Sequence, residues 1–288
     1  MQYRTDLACE AASRLGGRLP PDAKQEEQRV GELLIRRLTL GEQSATALSR
    51  HAGQYVTVQI PPLTDNDDLT EQWAYTLARE LTAMLPAEGP VLVVGLGNEA
   101  ITPDAFGPRV ASMVLATRHI RGEFARSVGL TNLRSVAVLR PDVLGNTGME
   151  SSEQAAAVCA QIAPAAVIAV DALAAGSLAR LGCTVQLCDS GIAPGSGVGN
   201  ARVPLGKEQL GVPVIGIGVP TVVDASTLAR ELIGTDGGET ASPRGCAMMV
   251  TPREIDLLVA RAARLVAMTI NAALQPDYSP RDLTAVAV

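Results

Sequence analysis

Histidine is scarce in this 288-residue chain, with only His51 and His119 present. A catalytic zinc normally recruits histidine, so a zinc centre is not expected. His51 lies in a polar N-terminal stretch. His119 follows Asp104 on what reads as one helix, about 22 Å along it at 1.5 Å per residue, and one metal would not easily bind both. A histidine near a helix C-terminus is favoured by the helix dipole alone. Aromatic residues make up 2% of the chain against 47% hydrophobic residues, so the core must be built from Val, Ile, Leu and Ala. That bias suits parallel strands buried on both faces by helices. The five cysteines, Cys9, Cys159, Cys183, Cys188 and Cys246, are odd in number and form no CxxC pair. Neither a disulfide framework nor a zinc ribbon is expected from them. There is no basic excess: the net charge is −6 and the isoelectric point about 5.1. Direct binding to nucleic acid is therefore not expected. No apolar run reaches the roughly 18 residues of a membrane span, and no secretory signal opens the chain. Neither a membrane partner nor export is expected, which leaves a cytoplasmic protein. No GxSxG elbow is present, and no cysteine stands beside a plausible histidine. Ser190, Ser196 and Cys188 are nucleophile candidates without a visible base.

What is there is a regular alternation from Pro90 onward. Short apolar runs at Val91–Val94, Ser135–Leu139, Ala166–Val170, Thr184–Leu187 and Val214–Val219 read as strands. Between them, Asp104–Thr117, Glu150–Ile162 and Leu173–Leu181 read as helices, and Pro252–Leu274 as a long terminal helix. Solid apolar strands alternating with helices indicate an α/β fold, a mostly parallel central sheet with helices on both faces. Upstream, Gln54–Ile60 reads as a strand and Thr70–Met84 as an amphipathic helix, with Trp73, Leu77, Leu81 and Met84 on one face. The first 85 residues are otherwise polar and mixed, and the core is expected over about 90–275. Thr235–Gly245 reads as a surface connection.

In an open parallel sheet, ligands bind beyond the carboxyl ends of the strands. The loops that follow the first, third and fifth of these strands contain Asp104, Asp171 and Asp224. A carboxylate at such a place is partly desolvated, and a second carboxylate nearby raises one of the two pKa values further. One protonated and one ionised carboxyl can activate water and protonate a leaving amine. Aspartate before a helix is equally a capping residue, and position alone leaves both readings open for Asp104 and Asp171. Gly95, Gly97 and Ala100 match part of a dinucleotide fingerprint, but Pro103 would break the helix that motif requires. A non-catalytic nucleotide- or peptide-binding module is the rival reading. Gly95, Gly97 and Asn98, with Ser190 and the loop Pro194–Asn200 (Gly195, Gly197, Asn200), are candidate substrate-binding positions. Their backbone N–H groups could position a peptide or polarise its carbonyl.

Several segments are similar to one family: RTDLACEA at Arg4–Ala11, VVGLGNEAITPDAFGPRV at Val93–Val110, TRHI at Thr117–Ile120 and VLGNTGMES at Val143–Ser151. IAVDALAA at Ile168–Ala175, DSGIAPGSGVGNAR at Asp189–Arg202, GVPVIGIGVPTVVDA at Gly211–Ala225 and MVTPREID at Met249–Asp256 extend the match. Together they resemble the germination proteases of spore-forming bacteria, endopeptidases that degrade small acid-soluble spore proteins. The resemblance implies an aspartic-type hydrolase with Asp104 and Asp171 as its catalytic pair, no cofactor, a homotetrameric assembly and a place in the forespore or spore core. It implies a fold shared with hydrogenase maturation endopeptidases, which have Glu where Asp104 stands and add a metal-binding His. No histidine suits that third place here, and a metal-dependent maturation-type endopeptidase is the second rival. The resemblance also implies a zymogen with self-cleavage between Asp6 and Leu7. Residues 1–6 would be a prosegment shorter than the family's usual one, and 7–288 a single peptidase domain.

Overall fold

Short runs of β-branched and aliphatic residues bounded by glycine or proline favour extended backbone. The structure is a computed structural model, described over residues 5–15, 19–65, 71–120, 132–195, 202–234 and 248–287. Its strands are β1 (Lys24–Val30), β2 (Leu33–Leu40), β3 (Gly53–Gln59), β4 (Val91–Gly95), β5 (Val136–Leu139), β6 (Ala166–Ala175), β7 (Thr184–Cys188), β8 (Val214–Asp224) and β9 (Met249–Val250). The helices are α1 (Ala8–Ser13), α2 (Glu42–Leu48), α3 (Glu71–Met84), α4 (Phe106–Met113), α5 (Leu144–Thr147), α6 (Ser151–Ile162), α7 (Lys207–Leu210), α8 (Ala225–Ile233), α9 (Ile255–Leu274) and α10 (Pro280–Val286).

All nine strands share one sheet, in the order β1-β2-β3-β7-β8-β6-β4-β5, with β9 on the far part of β8. β8, β6, β4 and β5 run parallel, as their unbroken apolar runs indicate. The other half, β1, β2, β3 and β7, is antiparallel and joins through β7–β8. The core therefore starts well before residue 90: Leu33, Ile35, Val56 and Val58 belong to the same cluster as Val91 and Ile168. This half was hard to read because its outer strand is polar throughout, Lys24–Val30 being exposed along nearly its whole length.

Alternate side chains in a strand face opposite sides, and the sheet uses both. Val91, Val93, Ile168 and Val170 meet α3 and α9 on one face, while Leu92, Val94, Val167 and Ala169 meet α6 on the other. α9 is long and apolar enough to cross a membrane by length and composition, contrary to the expectation that no such run exists. Here 78% of that window is buried within the protein, so the helix serves as the main support of the sheet. Two predicted helices are corrected. Leu173–Leu181 is strand through Ala175, followed by a short 3₁₀ turn at Leu178–Arg180, because β8 continues to pair with β6 as far as Ala175–Val223. The helix after Asp104 starts only at Phe106 and ends at Met113, where Val114 turns extended, so His119 is not on it.

Candidate active site

The site arises where two neighbouring strands end at different heights. β4 pairs with β6 only as far as Gly95–Val170, and the Leu96 N–H closes the ladder on the Val170 carbonyl at 2.8 Å. The chain then leaves the sheet. β5 lies on one side of β4 and β6 on the other, so this is the switch point at which a crevice opens beyond the carboxyl ends. β6 continues alongside β8 with the edge that faced β4 left free. Asp171 is the first residue of that free stretch. It stands inside a strand, not at its end and not before a helix, so the capping reading fails for it.

Asp104 approaches from the loop after β4. That loop is drawn tight by glycine. Gly97 has φ +116°, and a Cβ there would lie 2.1 Å from the Asp104 carbonyl oxygen. The Asp104 carboxylate accepts the Asn98 N–H at 2.7 Å, reaching back across its own loop instead of capping α4. The Asn98 N–H is thereby engaged with the carboxylate, not free to polarise a substrate carbonyl. Gly107, at the start of α4, sits against both strand ends: an added Cβ would lie 2.2 Å from the Leu96 carbonyl and 2.5 Å from that of Val170. Gly95 faces this helix, with an added Cβ only 2.3 Å from the Gly107 carbonyl. Among the predicted substrate positions, Gly95 thus serves close packing under the site and does not line its cavity.

Asp104 and Asp171 line one cavity of about 680 Å³, within the size range of substrate pockets. Asp171 is only 5% exposed and accepts the N–H of Ala172 at 2.9 Å. Burial pushes its carboxyl well above the usual range, and the nearby charges of Asp104 and then Asp6 push it further. Asp104 is also raised by burial, partly opposed by the Asn98 N–H. The two carboxyls are therefore coupled, with Asp171 the one that holds its proton more firmly. The third predicted aspartate, Asp224, is a helix cap: its Oδ1 accepts the N–H and hydroxyl of Ser226 at 2.9 and 2.7 Å at the start of α8.

Gly97, Asn98, Ser190 and Gly195 also line the cavity. Ser196, Gly197 and Asn200 lie outside the described residues. Ser190 donates to the Tyr55 hydroxyl at 2.9 Å, which donates to the His51 carbonyl, so no base stands at the serine. The Cys188 thiol is buried and pushed up to about 11, which keeps it protonated and inert near neutral pH. Among the described residues no group of three or more His, Cys, Asp or Glu is placed to hold a metal ion. Among the lining residues that the sequence reading missed are His51, Tyr55, Gln186 and Thr221. Thr221 sits at a bulge where β8 has an extra residue against Leu173 and Ala174 of β6, and its buried hydroxyl has no partner. Only the sheet register reveals it.

The segment carrying Asp6 and Leu7 returns to this cavity. Asp6 donates its N–H to the Ala174 carbonyl at 2.9 Å, and its carboxylate accepts the Ala174 N–H at 2.8 Å. The next residue, Leu7, is fully buried against Leu173, Ala175 and Val223. The Asp6–Leu7 peptide thus lies along the free edge of β6, a few residues from Asp171.

The family model described as Germination protease matches residues 20–235. The chain is similar to a Germination protease of Caldanaerobacter subterraneus subsp. tengcongensis, 40% identical over 97% of this chain and 96% of that one. It is similar also to one of Clostridium tetani, 35% identical over 98% of each. Among solved structures, the [NiFe] hydrogenase maturation protease HycI from Thermococcus kodakarensis KOD1 is similar over 66% of this chain and 98% of its own, at a TM-score of 0.38 and 21% identity.

Proposed function

The chain belongs to the germination protease family, and from that premise we propose that it is an endopeptidase of spore proteins, the small acid-soluble class, working through Asp104 and Asp171. The observation that carries the reading is the pair itself: two carboxyls in one cavity, coupled by charge, one much more deeply buried than the other. Asp104, ionised, takes a proton from water as the water oxygen bonds to the scissile carbonyl carbon. Asp171, protonated, gives its proton to the leaving nitrogen as the C–N bond breaks. The pair ends with one proton, now on Asp104, and resets by passing it back. General acid and base of this kind each contribute about 10²–10⁴-fold to rate.

Asp104→Asn and Asp171→Asn should each lower kcat for a purified small acid-soluble spore protein by at least about 10²-fold. Full activity in either variant would overturn the assignment. In the wild type, kcat/KM should fall at low pH as Asp104 protonates and at high pH as Asp171 loses its proton. Because burial raises both groups, the acid limb should lie above the ordinary aspartate value of 3.8.

The same reading extends to self-processing at Asp6–Leu7, a homotetramer and action in the spore core. Self-processing is supported by the placement of that peptide in the cavity. N-terminal sequencing would reveal a new terminus at Leu7 in the wild type and none in Asp171→Asn. Sedimentation would test the tetramer.

A further inference from the structure

Gln186 lies on β7, and its neighbour across the sheet is Gly218 of β8, whose own neighbour is Asp171 of β6. Residues in one cross-strand row project from the same face. Gln186 and Asp171 therefore stand on one face, two strand spacings or about 10 Å apart, with Gly218 between them leaving room for the Leu173 side chain. The side chain of Gln186 is buried, and both ends of its amide are used. Its Nε2 donates to the Asp6 carbonyl at 3.0 Å, and its Oε1 accepts the Ala8 N–H at 2.7 Å. One amide thus grips the backbone on both sides of the Asp6–Leu7 bond.

A fork of this kind orders three consecutive residues irrespective of their identity, and the Ala174 N–H and carbonyl hold the first of them on the free β6 edge. An incoming peptide that adds to a strand edge meets the same groups. We propose that Gln186 is a positioning residue for substrate: its amide clamps the carbonyl of the scissile bond and the N–H two residues beyond the residue that supplies it. The buried site of Leu7, formed by Leu173, Ala175 and Val223, receives the apolar side chain between these two contacts. In this structure the chain's own N-terminal segment fills the clamp. The inference rests on the reading of Asp104 and Asp171 as the catalytic pair, but it makes a separate demand on the substrate backbone.

The test is a coupling experiment on the full chain with a synthetic peptide of sequence Arg-Thr-Asp-Leu-Ala-Cys-Glu-Ala, cleaved in trans, and its analogue in which the Leu–Ala amide is an ester. The ester removes the N–H that Oε1 accepts and leaves the scissile bond intact. On the wild type the ester should be cleaved with kcat/KM about 10-fold lower, a hydrogen bond's worth. Gln186→Met, of similar volume, loses both contacts, so it should cut the amide peptide at least as slowly as the wild type cuts the ester and no longer distinguish the two peptides. Equal cleavage of both peptides by the wild type would overturn the clamp, and this arm needs no folded variant. Gln186→Met that still favours the amide peptide 10-fold would overturn it as well. The two readings fail distinguishably: full cleavage of the amide peptide by Asp171→Asn overturns the catalytic pair, whereas equal cleavage of both peptides by the wild type, with Asp171→Asn inactive, overturns the clamp alone.

Discussion

A carboxyl group taken out of water resists ionisation, and Asp171 has been taken out of water beside two other acidic side chains. Its folded pKa lies above the unfolded value near 3.8, so the proton is bound more tightly in the folded protein. The contribution to stability is then fully present below 3.8 and is lost as pH rises through the folded pKa. Asp171→Asn cannot ionise. It should therefore unfold at a higher temperature than the wild type at about pH 8, and that advantage should shrink as the pH is lowered toward 3.8. Thermal melts across this range check it; a pH-independent difference would contradict it. Such a gain in stability, coupled to a loss of activity, is what a destabilised functional group is expected to show. At this scale the sequence was partly legible. Three aspartates followed three strands, and nothing local distinguished the cap at Asp224 from the pair in the cavity. That distinction lies in what each carboxylate meets: a Ser226 N–H and hydroxyl at Asp224, burial and the Asn98 N–H at Asp104, burial and the charge of Asp104 at Asp171.

At the scale of elements, the site depends on α4 lying against the ends of β4 and β6. Gly107 makes that contact possible, since any side chain would run into two backbone carbonyls that belong to the strands holding the site. Gly107→Ala should cost about 1–3 kcal/mol through overpacking and should also lower kcat, because the strand ends must shift. Leu77→Ala offers the contrast. Leu77 is fully buried on α3, in the same core cluster as Phe106 and Val110 of α4, but it lines no part of the cavity. It should lose about 2–5 kcal/mol of stability while keeping kcat near that of the wild type at a temperature where both are folded. Urea unfolding and initial-rate assays on the two variants would show whether stability and catalysis separate as the packing implies. The elements themselves were legible wherever an apolar run was bounded by glycine or proline, as in β4, β7 and α9. Beyond Asp171 the run Leu173–Ala175 was ambiguous, since apolar residues of that length suit helix and strand alike. Pairing with β8 decided it.

On the scale of the whole molecule, one sheet joins an antiparallel half, built from β1–β3 of the first 60 residues together with β7, to a parallel half, and the N-terminal segment returns across this join. Gln186 is 180 residues from Asp6 in sequence and 3.0 Å away in space. If the segment is cut by the cavity of its own chain, processing is unimolecular. Its first-order rate constant should be unchanged over a hundredfold range of protein concentration, measured as the appearance of the Leu7 terminus. A rate that rises in proportion to concentration would mean that one molecule cuts another.

The sequence by itself determined the material of this protein: a histidine-poor, aspartate-bearing, aliphatic chain whose strands are buried on two faces, with family motifs around Asp104, Asp171 and Asp6. These are local properties, set by side-chain chemistry and by periodicity over a few residues. Only the tertiary structure decided which carboxyls share a cavity, which aspartate is a cap, and that Gln186 and Thr221 belong to the site. Those facts depend on strand order and register, and a register is fixed by burial summed over the whole sheet. Asp171 is placed by the sequence after an apolar run; it becomes a half of a pair because β4 stops one residue earlier and leaves it facing Asp104.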